Sequence, residues 1–461
     1  GGSASSEVSS DGEGSARAEL WDEVIEDYGV WKYAAITAAR NGKLYAPPFS
    51  ASRVLEIDPA TRRMREIGEE LPGGEQKYLA MVAAGNGRLY APPCSASRVL
   101  EVDPETGAVR LLGEEDLQGG AMKYRAMLEA PSGRLYSVPY SARRVLEVDP
   151  STGGVSLLGE NLWGLDGKYL AMALARNGKI YSPPCSSDQA VEIDPVSRSV
   201  RLIGQECEYR AWKRYVCVAE SSANGRLYAP PCASIDRVLE IDPERGDARL
   251  IGEAVAGGGE LYWSVAEAGN GRLYAPPCDA LRALEISPLE GSVRLKGEED
   301  PARGKYWVVA AGGNGSLYAP PYKASRALEI DGASGEARPI GVELPPGGKH
   351  FQAIASLPGG ALYAPPARAP RVLELDPRAR SARLVGPELE QGAWKTYVAA
   401  AACGGALFAP PASGWGQVLE IRARDGARTQ ASSAPPRRLK GRPRGPRSPI
   451  KARTGLPVRK K

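Results

Sequence analysis

The feature that most constrains this chain is a short motif, Leu-Tyr-Ala-Pro-Pro or a close variant, that recurs nine times. Its aromatic residue falls at intervals of 44 to 47 residues, at Tyr45, Tyr90, Tyr136, Tyr181, Tyr228, Tyr274, Tyr318, Tyr363 and Phe408. The copies cover residues 31 to 429. Repeats of this length form architectures in which each unit buries its apolar surface against its neighbours. The structure of one unit therefore determines that of the whole repeat region.

Each copy contains four short segments with the composition of β-strands. In the second copy these are residues 78–84, 88–93, 98–102 and 108–113, separated by turn signals such as Gly-Asn-Gly and Asp-Pro-Glu-Thr-Gly. No helical period occurs in the unit. Four strands in about 45 residues are typical of a propeller blade. The sequence predicts an all-β protein, a β-propeller of about nine four-stranded blades, with eight blades as an alternative.

The hairpin between the third and fourth strands predicts a register. If Asp103 faces Ala108, then Glu101 lies opposite Arg110, and such a pair of opposite charges stabilises a sheet by about 0.2–1 kcal/mol. The same offset pairs glutamate with arginine in most copies; Glu147, which faces Ser156, is the exception among the first eight. The glutamate series is Glu56, Glu101, Glu147, Glu192, Glu240, Glu285, Glu329, Glu374 and Glu420. We interpret it as structural and not as a metal or acid–base site, because one residue type is spread evenly around a ring.

The ninth copy loses its pattern after residue 421 and lacks the glycine that ends the fourth strand elsewhere. An unclosed ring would leave a sheet edge exposed. We predict that residues 20–29, which precede the first copy, pair with the last blade and close the ring.

The repeat unit, Gly-Lys-Leu-Tyr-Ala-Pro-Pro followed by Arg-Val-Leu-Glu-Ile-Asp-Pro, resembles the propeller repeats of the YVTN, NHL, Kelch and lactonase-like superfamilies. The Asp-Pro-x-Thr-Gly hairpin is most similar to the YVTN type. The resemblance implies a propeller over residues 20–428 but specifies no activity. The flanking Gly/Ser-rich residues 1–19 and the basic residues 429–461 are predicted to be disordered.

The charge of the chain is divided unevenly. Residues 429–461 contain eleven Lys or Arg and no acid, so a net charge of +4 for the chain leaves −7 for residues 1–428. The tail is a candidate for binding nucleic acid or an acidic surface. A translated extension without a function is the alternative.

Connections from the fourth strand to the next blade, and from the second strand to the third, are expected on one face, which we call the loop face. These connections are longer and more varied than the others, so we expect recognition there, around the mouth of the channel. A ring of basic residues precedes the first-strand aromatic and could attract an anionic ligand: Lys32, Lys77, Lys123, Lys168, Arg214, Lys305 and His350. The alternative is a set of solvated charges balanced by nearby acids such as Glu69 and Glu70.

Several tryptophans fall in or beside the variable loops and are candidate interface anchors: Trp163, Trp212, Trp263, Trp307 and Trp394. We therefore predict a non-enzymatic scaffold, a monomer, that binds a protein or peptide partner through the loop face. The alternative is a small-molecule hydrolase, lactonase-like or esterase-like, or an oxidoreductase, using an axial pocket.

Rare residue types argue against catalysis. One histidine in 461 residues disfavours His-based metal centres and catalytic triads, and we expect no catalytic residue, metal or cofactor. Cys94, Cys185, Cys232 and Cys278 occupy the same repeat position in different blades, too far apart for disulfides. Seven cysteines without a pairing pattern favour a reducing, cytoplasmic or nuclear compartment.

Overall fold

The structure is a computed structural model and describes residues 16–25, 31–113, 117, 120–164, 166–206, 213–389, 397–413 and 416–423. All of these residues belong to one compact unit, Gly1–Ala427; the second unit is Arg428–Lys461. The disorder predicted for residues 1–15 and 429–461 lies outside the described residues. For residues 17–19 the prediction of disorder is wrong, because they belong to the strand Arg17–Leu20.

The described residues form 36 strands in nine four-stranded antiparallel sheets and contain no helix. The innermost strands are Thr37–Ala38, Val82–Ala83, Leu128–Glu129, Ala173–Leu174, Ala219–Glu220, Ala266–Glu267, Ala310–Ala311, Ala355–Ser356 and Ala401–Cys403. The second strands are Leu44–Ala46, Leu89–Ala91, Leu135–Ser137, Ile180–Ser182, Leu227–Ala229, Leu273–Ala275, Leu317–Ala319, Leu362–Ala364 and Ala406–Ala409. The predicted propeller is confirmed with nine blades, and the alternative of eight is wrong.

The outer half of each blade consists of the third and fourth strands. The third strands are Val54–Asp58, Val99–Asp103, Val145–Asp149, Ala190–Asp194, Val238–Asp242, Ala283–Ser287, Ala327–Ile330, Val372–Asp376 and Leu419–Arg422. The fourth strands of blades 1 to 8 are Arg63–Ile67, Ala108–Leu112, Gly154–Leu158, Ser199–Ile203, Asp247–Ile251, Ser292–Lys296, Ala337–Ile340 and Ser381–Val385. Burial falls outward, because the second strands are wholly buried whereas the fourth strands consist mostly of half-buried and exposed residues.

The core lies between blades and not within them. One cluster joins Leu44 and Leu55 of the first blade to Phe408 and Val418 of the ninth. Inner strands of adjacent blades lie against one another, including those of the first and ninth blades. Their many alanines suit this crowding because a small side chain allows close approach.

The N-terminal segment closes the ring, as predicted, but with an earlier stretch of chain. The strand Arg17–Leu20 pairs antiparallel with Leu419–Arg422 as the fourth strand of the ninth blade. It ends where the predicted segment 20–29 begins. The reason is packing: Trp21, immediately after the strand, turns inward and is only 1% exposed, so the preceding residues form the edge strand.

The predicted register of the outer hairpin is confirmed, for example Glu101 opposite Arg110 and Glu147 opposite Ser156. Not every pair forms its ion pair across the strands. Glu101 is paired at 3.1 Å with Arg88, which immediately precedes the second strand. Arg294, opposite Glu285, instead contacts Glu290 at 3.4 Å. The glutamates of the third strand also contact the second strand. For example, the Tyr45 hydroxyl donates to Glu56 at 3.1 Å.

Adjacent blades are joined at the face opposite the loop face, which we call the turn face. There the Asn41 amide donates to the carbonyl of Pro104 in the next blade at 2.8 Å. Glu147, which has no cross-strand arginine, is paired with Arg198 of the next blade at 2.7 Å. Arg198 occupies a turn position with φ of +54°, where the second blade has Gly107. The unusual backbone therefore directs a guanidinium toward the buried carboxylate of the neighbouring blade.

Candidate functional site

The loop face is organised by a belt of backbone hydrogen bonds that runs from blade to blade. The amide of Phe49 donates to the carbonyl of Lys32 at 2.8 Å, and the amide of Lys77 donates to that of Phe49 at 2.8 Å. The same alternation continues through Cys94, Lys123 and the equivalent residues of later blades. The predicted basic ring and the residue after each Pro-Pro therefore form one circle around the channel mouth.

The seven residues of the predicted basic ring are buried, at 0 to 5% exposure. The side chains of six of them contact loop carbonyls: Lys77, Lys123, Lys168, Arg214, Lys305 and His350. The Lys77 ammonium donates to the carbonyl of Gly74 at 2.9 Å, and the Lys123 ammonium donates to that of Gly120 at 3.0 Å. His350 contacts the carbonyl of Pro345 at 2.8 Å. The interpretation of these residues as solvated charges is wrong, because the loops enclose them.

Lys305 shows the strongest form of this arrangement. Its ammonium donates to the carbonyls of Ala280 at 2.9 Å and Asp300 at 2.7 Å, and also to that of Ala302. Burial lowers its pKa, against the opposing effect of nearby Asp300. Arg214 similarly donates to the carbonyl of Ser187 and pairs with Asp188 at 3.4 Å. These contacts fix the loops, while the anion-binding role predicted for the ring stays a prediction.

A different repeat position distinguishes the blades: the second residue after the ring residue. In most blades it is small or aliphatic, namely Ala34, Leu79, Leu170, Val216 and Val398. In the others it is Arg125, Trp263, Trp307 and Gln352. This position lies a few residues before the innermost strand, at the channel mouth. Since one blade geometry accepts either kind of residue, the fold does not require the large and polar ones.

Three of the aromatic residues at the mouth stack in sequence. The rings of Trp263 and Trp307 lie 5.4 Å apart between centroids at 22°, and those of Trp307 and Tyr322 lie 3.8 Å apart at 20°. We call Trp263, Trp307 and Tyr322 the aromatic ladder. Trp263 and Trp307 are half-buried and Tyr322 is buried.

Charged residues lie at both ends of the aromatic ladder. The Lys213 ammonium lies 5.2 Å from the centroid of Trp263 and pairs with Glu260, which also accepts the indole N–H of Trp263 at 3.0 Å. At the other end, the backbone belt places Arg368 near Tyr322: the Arg368 amide donates to the carbonyl of His350 at 3.2 Å, and the His350 amide donates to that of Tyr322 at 2.8 Å. Burial raises the pKa of Tyr322, and the positive charge of Arg368 opposes the rise.

A second cation–aromatic pair lies in the third blade. The Arg125 guanidinium is 4.8 Å from the centroid of the Tyr140 ring. The backbone belt joins Tyr140 to Cys185 through Lys168, and Trp263 packs against the core cluster that contains Cys185. This pair and the ladder therefore share one region. We call Arg125, Tyr140, Lys213, Glu260, the aromatic ladder and Arg368 together the mouth cluster.

The thiols of this region are poor nucleophiles. Burial raises the pKa of Cys278 to about 12, and it also raises the pKa of Cys232. Cys94, Cys185, Cys232 and Cys278 are all free thiols. A buried thiol with a raised pKa is a packing residue, since the thiolate is the reactive form.

The predicted interface tryptophans differ in their positions. Trp263 and Trp307 meet in the aromatic ladder, whereas Trp163 is 71% exposed with Arg143 over its ring at 5.1 Å. Trp212 and Trp394 lie outside the described residues. The interface role of all five stays a prediction.

Sequence reasoning missed Arg125, Tyr140, Lys213, Glu260, Tyr322 and Arg368 as members of one cluster. The available signal was the departure of Arg125, Trp263 and Trp307 from the aliphatic residues found at their position in other blades. Among the described residues, no three His, Cys, Asp or Glu side chains are close enough to hold a metal ion. The described part of the chain also holds no helix that could span a bilayer.

The chain is similar to several solved structures, at low sequence identity. No protein-family model and no curated protein matches this chain. Among solved structures it is similar to a streptogramin B lyase, at 11% identity over 66% of this chain and 94% of that one, with a TM-score of 0.44. It is also similar to virginiamycin B lyase from Staphylococcus aureus, at 9% identity over 89% of this chain and 99% of that one, with a TM-score of 0.44. A 6-phosphogluconolactonase-like protein from Bacteroides uniformis shares 17% identity over 64% of this chain and 90% of that one, with a TM-score of 0.41. These similarities concern the fold alone.

Proposed function

We propose that this protein is a non-enzymatic β-propeller scaffold that binds a protein or peptide partner through the mouth cluster on its loop face. Its assignment to a YVTN-like subtype, on the Asp-Pro-x-Thr-Gly hairpin, belongs to the same proposal. The ring supplies a rigid frame, and the partner contacts the residues in which the blades differ.

The observation that carries the proposal is the departure of Arg125, Trp263 and Trp307 from the repeat. Because the nine blades share one backbone geometry, each repeat position has a similar packing environment in every blade. Leu79 and Val216 fill that environment with aliphatic side chains at the equivalent positions. Trp263 also packs against Cys185, Val216 and Cys232, but the equivalent positions show that blade packing does not require an aromatic or charged residue.

Their chemistry suits an interface. Tryptophan, tyrosine and arginine are the residues that most often dominate binding energy at protein–protein contacts. Here they are already held by stacking and by the Lys213–Glu260 ion pair, so a partner would lose little side-chain freedom by ordering them. A site ordered before binding favours recognition.

The test is affinity capture with the full chain carrying Trp263→Ala and Trp307→Ala. The matched control is Leu79→Ala, which shortens the side chain at the same repeat position in another blade. A third variant replaces the basic residues of 429–461 with glutamine. Binding of each captured protein is then measured with that protein purified.

We expect the tryptophan variant to lose its partner, and the leucine variant and the neutral-tail variant to keep it. Loss of every partner from the neutral-tail variant alone would overturn the proposal and place recognition in the tail. Turnover in a screen of lactones and phosphoesters would favour the hydrolase instead.

A further inference from the structure

The aromatic ladder has few free ring faces. Both faces of Trp307 are covered, by Trp263 on one side and Tyr322 on the other, and Lys213 lies over Trp263. A ligand therefore meets mainly the edges of these rings. Ring edges carry partial positive charge, so they favour negatively charged groups over cations. The covered faces also disfavour a nucleobase, which binds aromatic residues by stacking.

The charges of the mouth cluster also favour a negatively charged ligand. Arg125, Lys213 and Arg368 are positive. Glu260 is paired with Lys213, and the nearby Asp279 carboxylate already accepts hydrogen bonds from the backbone amides of Glu260 and Gly304. Arg125 and Arg368 form no ion pair with any residue that the structure describes. The cluster therefore has an excess of positive charge.

Arg125 lacks acceptors as well as a counter-charge. Its Nε is buried and has no hydrogen-bond partner among the described residues. A buried polar group without a partner costs free energy, and a guanidinium presents its donors in a geometry that matches a carboxylate. The position over Tyr140 orients the plane of that group.

We infer that the mouth cluster binds an acidic peptide segment, whose carboxylates are held by Arg125 and Arg368 while its backbone and apolar atoms lie against the edges of the aromatic ladder. This inference rests on the proposed function and names the chemistry of the partner. Lys213 and Glu260 act as positioning residues for Trp263.

The test uses the full chain with the neutral tail described above, so that residues 429–461 do not attract the probes by charge. The ligand is a short fluorescein-labelled peptide of alternating Glu and Ala, with binding followed by fluorescence anisotropy. A Lys-Ala peptide and a labelled oligothymidylate are the comparison probes. The variant is Arg125→Gln with Arg368→Gln. Its matched control is Arg40→Gln with Arg245→Gln, which removes two exposed arginines from the turn face. Unchanged unfolding midpoints establish that each variant folds.

We expect the Glu-Ala peptide to bind, more weakly as salt is raised. We expect neither comparison probe to bind at the mouth cluster. The Arg125/Arg368 variant should bind about tenfold more weakly or worse, and the turn-face control should bind as the unaltered protein does. Equal affinity of the Arg125/Arg368 variant, or preference for the Lys-Ala peptide or the oligonucleotide, would overturn the inference. If the Glu-Ala peptide fails to bind while the tryptophan variant still loses its captured partner, the ligand chemistry is wrong and the proposed function stands.

Discussion

Trp21 donates a hydrogen bond from its indole N–H to Glu420 at 2.8 Å, across the joint where the two ends of the chain close the ring. In the other blades the equivalent glutamate accepts from a tyrosine hydroxyl, as Glu147 does from Tyr136 at 2.7 Å. The ninth blade has Phe408 at that position, which has no donor. The N-terminal segment thus supplies both the missing strand and the missing hydrogen bond.

The first prediction concerns this joint. Trp21→Phe should lower the free energy of unfolding by about 1–3 kcal/mol, because the buried Glu420 loses a donor. Adding Phe408→Tyr should recover much of the loss by restoring the tyrosine–glutamate contact of the other blades. Urea unfolding of both variants measures this. Equal stability of the single and double variants would contradict the assigned role of Trp21.

The second prediction concerns the close approach of adjacent blades. Gly297 has φ of +81°, and a Cβ there would lie 2.9 Å from the carbonyl oxygen of Ala337 in the next blade. Gly42 has a similar φ of +79° but open space around it. Gly42→Ala should cost about 1–2 kcal/mol from backbone strain alone, and Gly297→Ala roughly twice as much. Thermal unfolding measures the loss of stability. An equal loss in the two variants would show that the approach of adjacent blades does not add to the cost at Gly297.

The third prediction is that the basic ring stabilises the loops in proportion to the hydrogen bonds that each ring residue makes. Lys305→Met should lower the free energy of unfolding by about 3 kcal/mol, since three loop carbonyls lose their donor. Lys168→Met, which removes one bond of 3.4 Å, should cost about 1 kcal/mol. Chemical denaturation provides the comparison. A fully stable Lys305→Met protein would show that the buried ammonium is not needed by the loops.

The fourth prediction is that the glutamate series of the third strands makes the free energy of unfolding depend on pH. Burial raises the pKa of Glu56 and Glu329, but hydrogen bonds from arginine and tyrosine outweigh it and hold both below the ordinary value of 4.5. A carboxylate with a lowered pKa in the folded state contributes stability above its unfolded pKa, and that contribution is lost as pH falls through the folded pKa.

The free energy of unfolding should therefore hold from pH 7 to about pH 5 and decline below about 4.5. Glu329→Gln should be less stable at pH 7 and show a shallower decline in acid. Urea unfolding across this range provides the measurement. A free energy of unfolding that rises on acidification would contradict this prediction, because it would mean that protonated glutamates stabilise the fold.

The repeat made the fold predictable, because spacing, turn residues and the Glu–Arg offset all indicated the same blade. The burial of Lys77 and Lys305 could not be read from sequence, since it depends on carbonyls that the loops turn inward. The pairing of Arg198 with Glu147 was also hidden, because the two residues belong to different blades. Trp263 and Trp307 were identified singly, but their stacking depends on the angle between blades, which the sequence does not contain.

The most direct test of the account is hydrogen exchange of the full chain with and without its captured partner. We predict protection of residues 260–263, 304–307 and 320–323, which carry the aromatic ladder, with little change at the turn-face residues 41–43 and 104–107. Protection confined to the turn face, or absent from all three loop-face segments, would contradict recognition at the mouth cluster.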